Sequence, residues 1–201
     1  VKDKVFFVQI GACDGVLHDP LHPFIMRYNW CGIMVEPLPD LFEKLKKNYS
    51  GKDGLIFENV AITESEEIKP LIRVNPDVLT EFPEWAAGCA TFVENSRNIA
   101  SCPDLKNHLI TQEVQTMQLG TLLDKHNVSH IDVLQIDTEG YDYKVLKQLD
   151  FTRYRPCIIN MEYVHLSDEE KMTTCALLNE EGYAFKTRHL DLLAAHKSFL
   201  G

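Results

Sequence analysis

The chain has 201 residues and a formal net charge of -10, and its 25% charged and 45% apolar residues are typical of a folded protein. This length and even composition predict a single domain over residues 1–201. Lys and Arg do not cluster beyond one short run at residues 44–47, so the acidic charge argues against nucleic acid as a partner. No apolar stretch is long enough to cross a membrane and no signal peptide is present, so we expect a cytoplasmic protein without a membrane partner.

The six cysteines lie at positions 13, 31, 89, 102, 157 and 175. They form no C-x-x-C pair and no Cys/His spacing of a zinc site. Cysteines scattered in this way over a chain of this length are not typical of a secreted disulfide framework. We therefore expect reduced thiols that are mostly buried.

The first predicted element is a strand over residues 5–10, an apolar run of β-branched and aromatic residues that contains one amide, Gln9. Such a run is typical of a central parallel strand that is covered on both faces. Gly11 ends the strand, and Gly11 and Gly15 bracket a three-residue turn. Glycine at a turn allows a positive φ or the close approach of a ligand to the backbone. An ordinary strand-ending turn has the same pattern, so this turn indicates a binding site only together with other strand ends.

The alternation of strand, turn and helix continues downstream. Strands are predicted at residues 31–36, 55–62, 131–136 and 157–161, and helices at residues 23–28, 41–49, 119–126, 141–149 and 167–180. Two further runs, 183–188 and 192–195, are predicted to form a closing antiparallel hairpin. Repeated alternation of this kind predicts parallel βαβ units with right-handed crossovers. The sequence therefore predicts an α/β fold with a mostly parallel sheet.

Residues 75–112 break this alternation and are predicted to be an insertion. The segment contains aromatic and apolar residues such as Phe82, Trp85 and Phe92, which are too frequent for a disordered linker. We expect the insertion to pack over the end of the sheet as a cap that helps to recognise a substrate. A plain surface excursion would also fit the pattern.

Four groups of small or acidic residues follow predicted strands: the Gly11 turn, Glu36, residues 59–61 and residues 137–140. In open parallel sheets, ligands bind beyond the carboxyl ends of the strands, so we expect these groups to meet there. Glu36 follows Asp14 by 22 positions, close to the roughly 20-residue gap at which a carboxylate accepts hydrogen bonds from ribose hydroxyls. An acid at this position has an equally good role beside a helix N-terminus.

The composition of the glycine turn separates two adenosine-containing ligands. A nicotinamide oxidoreductase needs G-x-G-x-x-G so that the pyrophosphate lies against a helix N-terminus, and here Cys13 replaces the middle glycine. Acids near the turn also suit a cationic group better than a pyrophosphate. S-adenosylmethionine combines adenosine with a cationic amino-acid tail and has no phosphates. It is therefore the cofactor that this pattern favours.

Five motifs follow one another along the chain. They are Gln-Ile-Gly-Ala-Cys-Asp-Gly at 9–15, Asp-Pro-Leu at 19–21, Trp-Cys-Gly to Val-Glu-Pro at 30–37, Phe-Glu-Asn-Val-Ala-Ile at 57–62 and Leu-Gln-Ile-Asp-Thr-Glu-Gly-Tyr-Asp at 134–142. In this order they resemble the FkbM family of S-adenosylmethionine-dependent methyltransferases. The resemblance implies a Rossmann-like class I methyltransferase fold with a seven-stranded sheet. It also implies O-methylation of a hydroxyl on a small-molecule or glycan acceptor, such as a sugar or a natural product.

The resemblance further implies a set of cofactor-binding residues at the strand ends. They are Gln9, Gly11, Ala12, Cys13, Asp14, Gly15, Asp19, Glu36, Pro37, Asn59, Ala61 and Asp137. Two positions depart from the family pattern, because many members have an acid in place of Gln9 and an asparagine in place of Cys13. These departures motivate an alternative function, a module that binds S-adenosylmethionine or a partner without transferring a methyl group.

Methyl transfer to a hydroxyl needs a base that takes the hydroxyl proton, and the catalytic candidates are Asp137, Glu139 and His165. A histidine starts near a pKa of about 6.5, whereas a carboxylate starting near about 4 must be raised by burial or by a like charge. We favour Asp137 as a cofactor or acceptor contact. Asp137, Glu139 and Glu162 also offer oxygen ligands for a divalent metal, but acids at strand ends more often bind none, so we expect no metal site.

Overall fold

The computed structural model describes residues 4–93 and 102–200, and these residues form two sheets with flanking helices. The strands are β1 (Phe6–Ile10), β2 (Cys31–Val35), β3 (Leu55–Glu58), β4 (Ala61–Ile62), β5 (Ile68–Val74), β6 (Ala90–Thr91), β7 (Leu109–Met117), β8 (Val133–Ile136), β9 (Ile158–Glu162), β10 (Tyr183–Arg188) and β11 (Asp191–His196). The α-helices within the described residues are α1 (His22–Tyr28), α2 (Pro39–Asn48), α3 (Leu119–Lys125), α4 (Asp142–Leu146) and α5 (Asp168–Glu180).

The larger sheet has seven strands in the order β10-β11-β9-β8-β1-β2-β3. The five strands from β9 to β3 are parallel, and β11 is antiparallel to both β9 and β10. This arrangement confirms the predicted α/β fold, with its mostly parallel sheet and its C-terminal antiparallel hairpin. The chain places β2 and β3 on one side of β1 and the later strands on the other side. The strand order therefore reverses beside β1, and ligands bind at such reversals.

The larger sheet is covered on both faces, and β1 shows how its sequence specifies this. Successive side chains of a strand point to opposite faces. Val8 and Ile10 pack in one apolar cluster with α3, α4 and α5, whereas Phe7 packs in a second cluster with α1 and α2. Burial of an apolar side chain of this size stabilises the fold by about 1.5–3 kcal/mol. The apolar run therefore fixes β1 at the centre of the protein.

The smaller sheet has four strands in the order β4-β7-β5-β6. It corrects the prediction that residues 55–62 form one strand, because β3 ends at Glu58 in the larger sheet and β4 belongs to the smaller one. The Asn59 side-chain amide donates to the carbonyls of Glu36 and Pro37 at 2.8 and 3.0 Å. These bonds satisfy the end of β2 with a side chain, so the backbone leaves the larger sheet after β3.

The predicted insertion at residues 75–112 forms short 3-10 helices at Pro76–Glu81, Glu84–Ala87 and Pro103–His108, together with β6 and the start of β7. Residues 94–101 of it lie outside the described residues. β6 and β7 both pair with β5, which precedes the insertion in the chain. The insertion is therefore joined to the preceding residues by strand pairing.

All six cysteines have free thiols, but only Cys89 is fully buried, whereas the others are half-buried. The expectation that most of them are buried is therefore wrong, because several lie at strand ends and loops instead of strand interiors. In the part of the chain that the structure describes, no helix combines the length and the apolar character that crossing a bilayer requires.

Candidate active site

A cavity of about 560 Å³ lies at the carboxyl ends of β1, β2, β8 and β9. Its volume falls within the range of about 300–1,000 Å³ that is usual for sites of drug-sized ligands. Leu71 and Thr91 of the smaller sheet also line the cavity, together with Trp85. The described residues that line the cavity include no Lys or Arg. They include five carboxylates, which are Asp19, Glu36, Asp137, Glu139 and Glu162.

The turn after β1 forms one edge of the cavity and requires its first glycine. The N–H groups of Gly11 and Ala12 both donate to the Val35 carbonyl, at 3.0 and 2.9 Å. Gly11 has a φ of +80°, and a Cβ atom there would overlap the carbonyl oxygen of Asp137. The ends of β1 and β8 therefore approach each other more closely than any other residue type at position 11 would allow.

Glu36 at the end of β2 is almost fully buried, and its carboxylate is held from two sides. One oxygen accepts a hydrogen bond from the Cys13 N–H at 2.8 Å, and the other accepts from the Leu38 N–H at 2.8 Å. Burial raises the pKa of Glu36 to about 8, although these two hydrogen bonds oppose the shift. Each oxygen retains a second lone pair, so the fixed carboxyl group can still accept a hydrogen bond from a ligand.

Cys13 follows in the same turn. Burial and the neighbouring Glu36 raise the pKa of its thiol to about 12. A thiol with this pKa is not a nucleophile at neutral pH, because the thiolate is the reactive form. Cys13 therefore contributes its backbone N–H and its volume to the site.

Gln9 and Asp19 place unpartnered oxygen atoms at the cavity. The Oδ1 atom of Asp19 accepts from the N–H groups of Leu21 and His22 at 2.7 and 3.3 Å. Its Oδ2 atom and the Oε1 atom of Gln9 are buried without a hydrogen-bond partner among the described residues. Burial also raises the pKa of Asp19. Two buried acceptors without donors are costly, and a ligand with N–H groups would satisfy them.

The loop after β8 carries two acids into the cavity, and a third acid holds the loop in shape. The buried Asp142 carboxylate accepts from the N–H groups of Thr138 and Gly140 at 3.1 and 3.0 Å. The Thr91 hydroxyl donates to the Glu139 carbonyl at 2.8 Å. Glu139 has a φ of +55°, which is unusual for a residue with a side chain. These hydrogen bonds maintain that backbone conformation and direct the Glu139 side chain toward β9.

Glu162, at the end of β9, and His165 meet Glu139 there. The His165 Nε2 atom lies 3.3 Å from Glu162 Oε1 and 3.8 Å from Glu139 Oε2. The ligand atoms that these three side chains could offer to a metal lie within 4.8 Å of one another. The sequence-based set of oxygen ligands named Asp137 instead of His165, and Asp137 does not belong to this geometric group.

The acids of this wall raise one another's pKa. Burial raises the pKa of Glu162 to about 9, and Asp142 and Asp191 add to the shift. Burial, followed by the charge of Glu162, raises the pKa of both Asp137 and Glu139 well above the usual range. Asp137 is accessible from the cavity, yet it lies deep enough in the protein for its carboxylate to be poorly solvated. The cluster therefore carries less than its full negative charge at neutral pH.

Most of the sequence-predicted site residues line this cavity. They are Gln9, Gly11, Ala12, Cys13, Asp19, Glu36, Pro37, Ala61, Asp137, Glu139 and His165. The other three do not, and each makes internal contacts instead. The Asp14 carboxylate accepts from the N–H groups of Val16 and Leu17, and the Gly15 carbonyl accepts from the Tyr49 hydroxyl. Asn59 holds the end of β2, as described above.

Sequence reasoning missed a row of amides beneath the cavity. Gln9 pairs in register with Gln135 of β8, which pairs in register with Asn160 of β9. The Asn160 amide donates to Gln135 Oε1 at 2.9 Å, and both Gln9 and Gln135 line the cavity. The signal was present, because each of these three apolar runs contains one isolated amide. Leu190 also reaches the cavity, but no local pattern marks it.

The fold is that of Rossmann-like methyltransferases. A methyltransferase FkbM from Methylobacillus flagellatus KT has a crystal structure that matches with a TM-score of 0.61 and 14% identity, over 96% of this chain and 44% of that chain. This chain therefore spans less than half the length of the Methylobacillus protein. A precorrin-6y C5,15-methyltransferase from Geobacter metallireducens GS-15 matches with a TM-score of 0.48 and 11% identity, over 98% of this chain and 82% of that chain. At such identities the first match shows a shared fold, and the second is too distant to add to it.

The family is shown by the sequence itself. The family model described as the methyltransferase FkbM domain matches residues 9–195, which is most of the chain. The chain belongs to the FkbM methyltransferase family, and the resemblance based on the five motifs is confirmed. No curated protein matches the chain. Family membership is shown for residues 9–195, and the activity, the cofactor, the acceptor and the roles of single residues are proposals.

Proposed function

We propose that this protein is an S-adenosylmethionine-dependent methyltransferase that methylates a hydroxyl group of an uncharged acceptor, such as a sugar, a glycan or a natural product. The observation that carries this proposal is the composition of the cavity lining, whose described residues include five carboxyl groups and neither Lys nor Arg. S-adenosylmethionine carries a sulfonium and an ammonium group against one carboxylate, so it is a cation. Such a cavity attracts a cationic cofactor and disfavours a dinucleotide, whose pyrophosphate is negative.

The cavity has suitable partners for each part of the cofactor. Glu36 is fixed by two backbone N–H groups and is assigned to the ribose hydroxyls. Gln9 and Asp19 provide unpartnered oxygen atoms and are assigned to the ammonium group. Pro37 and Ala61 line the cavity beside Glu36 and are assigned to the adenine ring. Gly11, Ala12 and Cys13 contribute backbone, and Asp14, Gly15 and Asn59 support the site through their internal hydrogen bonds.

When bound, S-adenosylmethionine supplies a methyl group on a positively charged sulfur, which keeps the electron pair of the broken carbon–sulfur bond. The protein must hold the acceptor oxygen in line with that methyl group and must take the hydroxyl proton. Asp137, Glu139 and His165 line the cavity and are the proposed catalytic residues. Asp137 is the most exposed of the acids that line the cavity and is assigned to the acceptor. Glu139 and His165 lie beside Glu162 on the adjoining wall.

The acceptor is proposed to be neutral because the cavity is acidic. A phosphorylated or carboxylated acceptor would bring a further negative charge to Asp137 and Glu139, whose pKa values neighbouring acids already raise, whereas a hydroxyl group brings none. Trp85, Thr91 and Phe92 line the cavity from the predicted insertion at residues 75–112. Aromatic side chains pack well against the apolar face of a sugar ring. We therefore propose that this segment is the cap that recognises the acceptor.

Calorimetric titration with S-adenosylmethionine and with NAD tests the cofactor. The expected result is saturable binding of S-adenosylmethionine and no binding of NAD. Glu36→Gln should weaken binding by about tenfold, because it replaces one ribose acceptor by a donor. Glu66→Gln makes the same change at an exposed acid and should have no effect. Absence of S-adenosylmethionine binding at millimolar concentration would contradict the proposal.

The reaction is tested by incubating the protein with S-adenosylmethionine and a panel of sugars, glycans and polyketides. Mass spectrometry should show an acceptor that gains one methyl group. Many family members have an acid in place of Gln9 and an asparagine in place of Cys13. This difference motivates the alternative that the protein binds S-adenosylmethionine without transferring its methyl group. If S-adenosylmethionine binds, but neither a methylated acceptor nor slow turnover of the donor is found, a non-catalytic binding module is the better description.

A further inference from the structure

We propose that Glu139, Glu162 and His165 form a binding site for one Mn²⁺ or Mg²⁺ ion in the wall of the cavity. The site would lie beside Asp137 and thus beside the acceptor hydroxyl, an assignment that depends on the proposed function. Two of the ligands flank the third, with distances of 3.3 Å from His165 Nε2 to Glu162 Oε1 and 3.8 Å from His165 Nε2 to Glu139 Oε2.

The spacing of these atoms suits an octahedral ion. Ligands bound at about 2.1 Å lie about 3 Å apart when they are neighbours and about 4 Å apart when they are opposite. The atoms offered by the three side chains lie within 4.8 Å of one another, so a contraction of about half an ångström brings them to these distances. Side-chain rotation alone supplies a movement of this size.

A second observation separates this site from an ordinary cluster of acids. Glu162 is only 7% exposed, and its Oε2 atom has no hydrogen-bond partner among the described residues. A protonated His165 bridging the two acids would be the alternative, but it would reach Glu162 through Oε1 and leave Oε2 unsatisfied. A buried carboxylate oxygen without a donor is costly, and a cation bound by Glu162 would compensate it. The same residue lines the cavity, so a cation can reach it.

The loop geometry holds the ligands before an ion arrives. Glu139 keeps a φ of +55° because Asp142 binds the N–H groups on either side of it and Thr91 binds its carbonyl. An unfavourable backbone conformation that is fixed by its surroundings is typical of a functional site. Holding ligands on a rigid support is also what a metal site requires.

The donor set selects the class of ion. Carboxylate oxygens suit Mg²⁺ and Mn²⁺, and the single imidazole nitrogen favours Mn²⁺ between the two. Three protein ligands leave positions open on an octahedral ion. One open position facing the cavity would receive the acceptor oxygen, lower the pKa of its hydroxyl group and leave Asp137 to take the proton.

Titration of the full chain with Mn²⁺, followed by electron paramagnetic resonance, tests the site directly. The expected result is one saturable Mn²⁺ per chain that Mg²⁺ displaces. Glu162→Gln and Glu139→Gln should each weaken Mn²⁺ binding at least about tenfold, since even residues that only orient metal ligands cost 10–100-fold. Glu66→Gln, which removes the same charge at an exposed position, should bind Mn²⁺ as the natural chain does.

Two results would overturn the proposal: no saturable binding by the natural chain at millimolar Mn²⁺, or unchanged binding in both glutamine variants. The first needs no variant and is therefore independent of folding, and circular dichroism establishes that each variant is folded. Titration with S-adenosylmethionine is carried out on the same samples. A chain that binds S-adenosylmethionine but no Mn²⁺ disproves only the metal site, and a chain that binds Mn²⁺ but no S-adenosylmethionine disproves only the proposed function.

Discussion

The acids in the two halves of the cavity differ in their hydrogen-bond partners. At the β1–β2 edge, both Glu36 oxygens accept backbone N–H groups, so the carboxyl group has one fixed orientation. At the β8–β9 edge, Asp137, Glu139 and Glu162 face one another, and Glu162 keeps an oxygen without a partner. At the first edge Glu36 is stabilised by its own hydrogen bonds, although Asp19 after β1 also keeps an oxygen without a partner among the described residues. The second is held in place by its surroundings, and acids that remain close under such conditions mark a functional site.

The largest effect is expected where the two halves touch, at Gly11. In Gly11→Ala the added methyl group overlaps the Asp137 carbonyl, and the φ of +80° is unfavourable for alanine. The ends of β1 and β8 must separate, and we expect a loss of about 3 kcal/mol or more in the free energy of unfolding. Urea denaturation measures this change.

Gly51→Ala is the matched control for this substitution. Gly51 has a φ of +84°, but nothing lies within 4 Å of an added Cβ atom. Only the backbone preference changes there, so the expected loss is about 1 kcal/mol. Equal losses in the two variants would show that the close approach of β1 to β8 is not a constraint on the fold.

The next largest effect is expected at Asp142, which supports the β8–β9 edge. Asp142→Asn keeps the volume but places an amide NH₂ against one of the two N–H groups that the carboxylate satisfies. A buried donor without an acceptor costs about 1–3 kcal/mol. Because the loop then no longer holds Glu139, we also expect methyl transfer to fall more than S-adenosylmethionine binding does.

Asp14→Asn tests the same interaction at the β1–β2 edge. The Asp14 carboxylate also accepts from two N–H groups, those of Val16 and Leu17, but it lies in a more accessible loop. Water can replace a lost acceptor there, so the expected cost is below about 1 kcal/mol. A larger loss of unfolding free energy for Asp14→Asn than for Asp142→Asn would contradict the expectation that the buried carboxylate at the β8–β9 edge matters more for stability.

The sequence predicted the strands of the larger sheet because their apolar runs are continuous and glycine or acidic residues follow them. The four strand ends were also predicted to meet, since parallel strands place their carboxyl ends on one edge. The extent of β3 and β4 was not predicted. Asn59 separates them by donating to carbonyls of β2, and only the fold shows that these carbonyls are nearby.

The remaining parts of the site depend on contacts that are distant in sequence. Thr91 binds the Glu139 carbonyl across 48 positions, and nothing in the local sequence marks either residue for that contact. It is likewise the fold, and not the local sequence, that groups His165 instead of Asp137 with Glu139 and Glu162. Spacing identified the acids that reach the cavity, but their orientation depends on the loop that Asp142 holds.

A further expected effect is a pH dependence at Glu36. Its pKa is about 8 in the folded protein and near 4.5 when it is exposed, so the folded state binds the proton more tightly. The contribution of Glu36 to the free energy of unfolding is therefore fully present below about pH 4.5 and is lost as the pH rises toward about 8. The slope should not exceed about 1.4 kcal/mol per pH unit.

Urea denaturation of the natural chain and of Glu36→Gln, at several values between about pH 5 and about pH 8, isolates this slope. Asp137, Glu139 and Glu162 titrate in both proteins, so their contributions cancel in the difference. The unfolding free energy of the natural chain should fall relative to that of Glu36→Gln as the pH rises. A constant difference would mean that the hydrogen bonds from Cys13 and Leu38 fully offset the burial of Glu36, and that the charged carboxylate is as stable at this edge as it is in water.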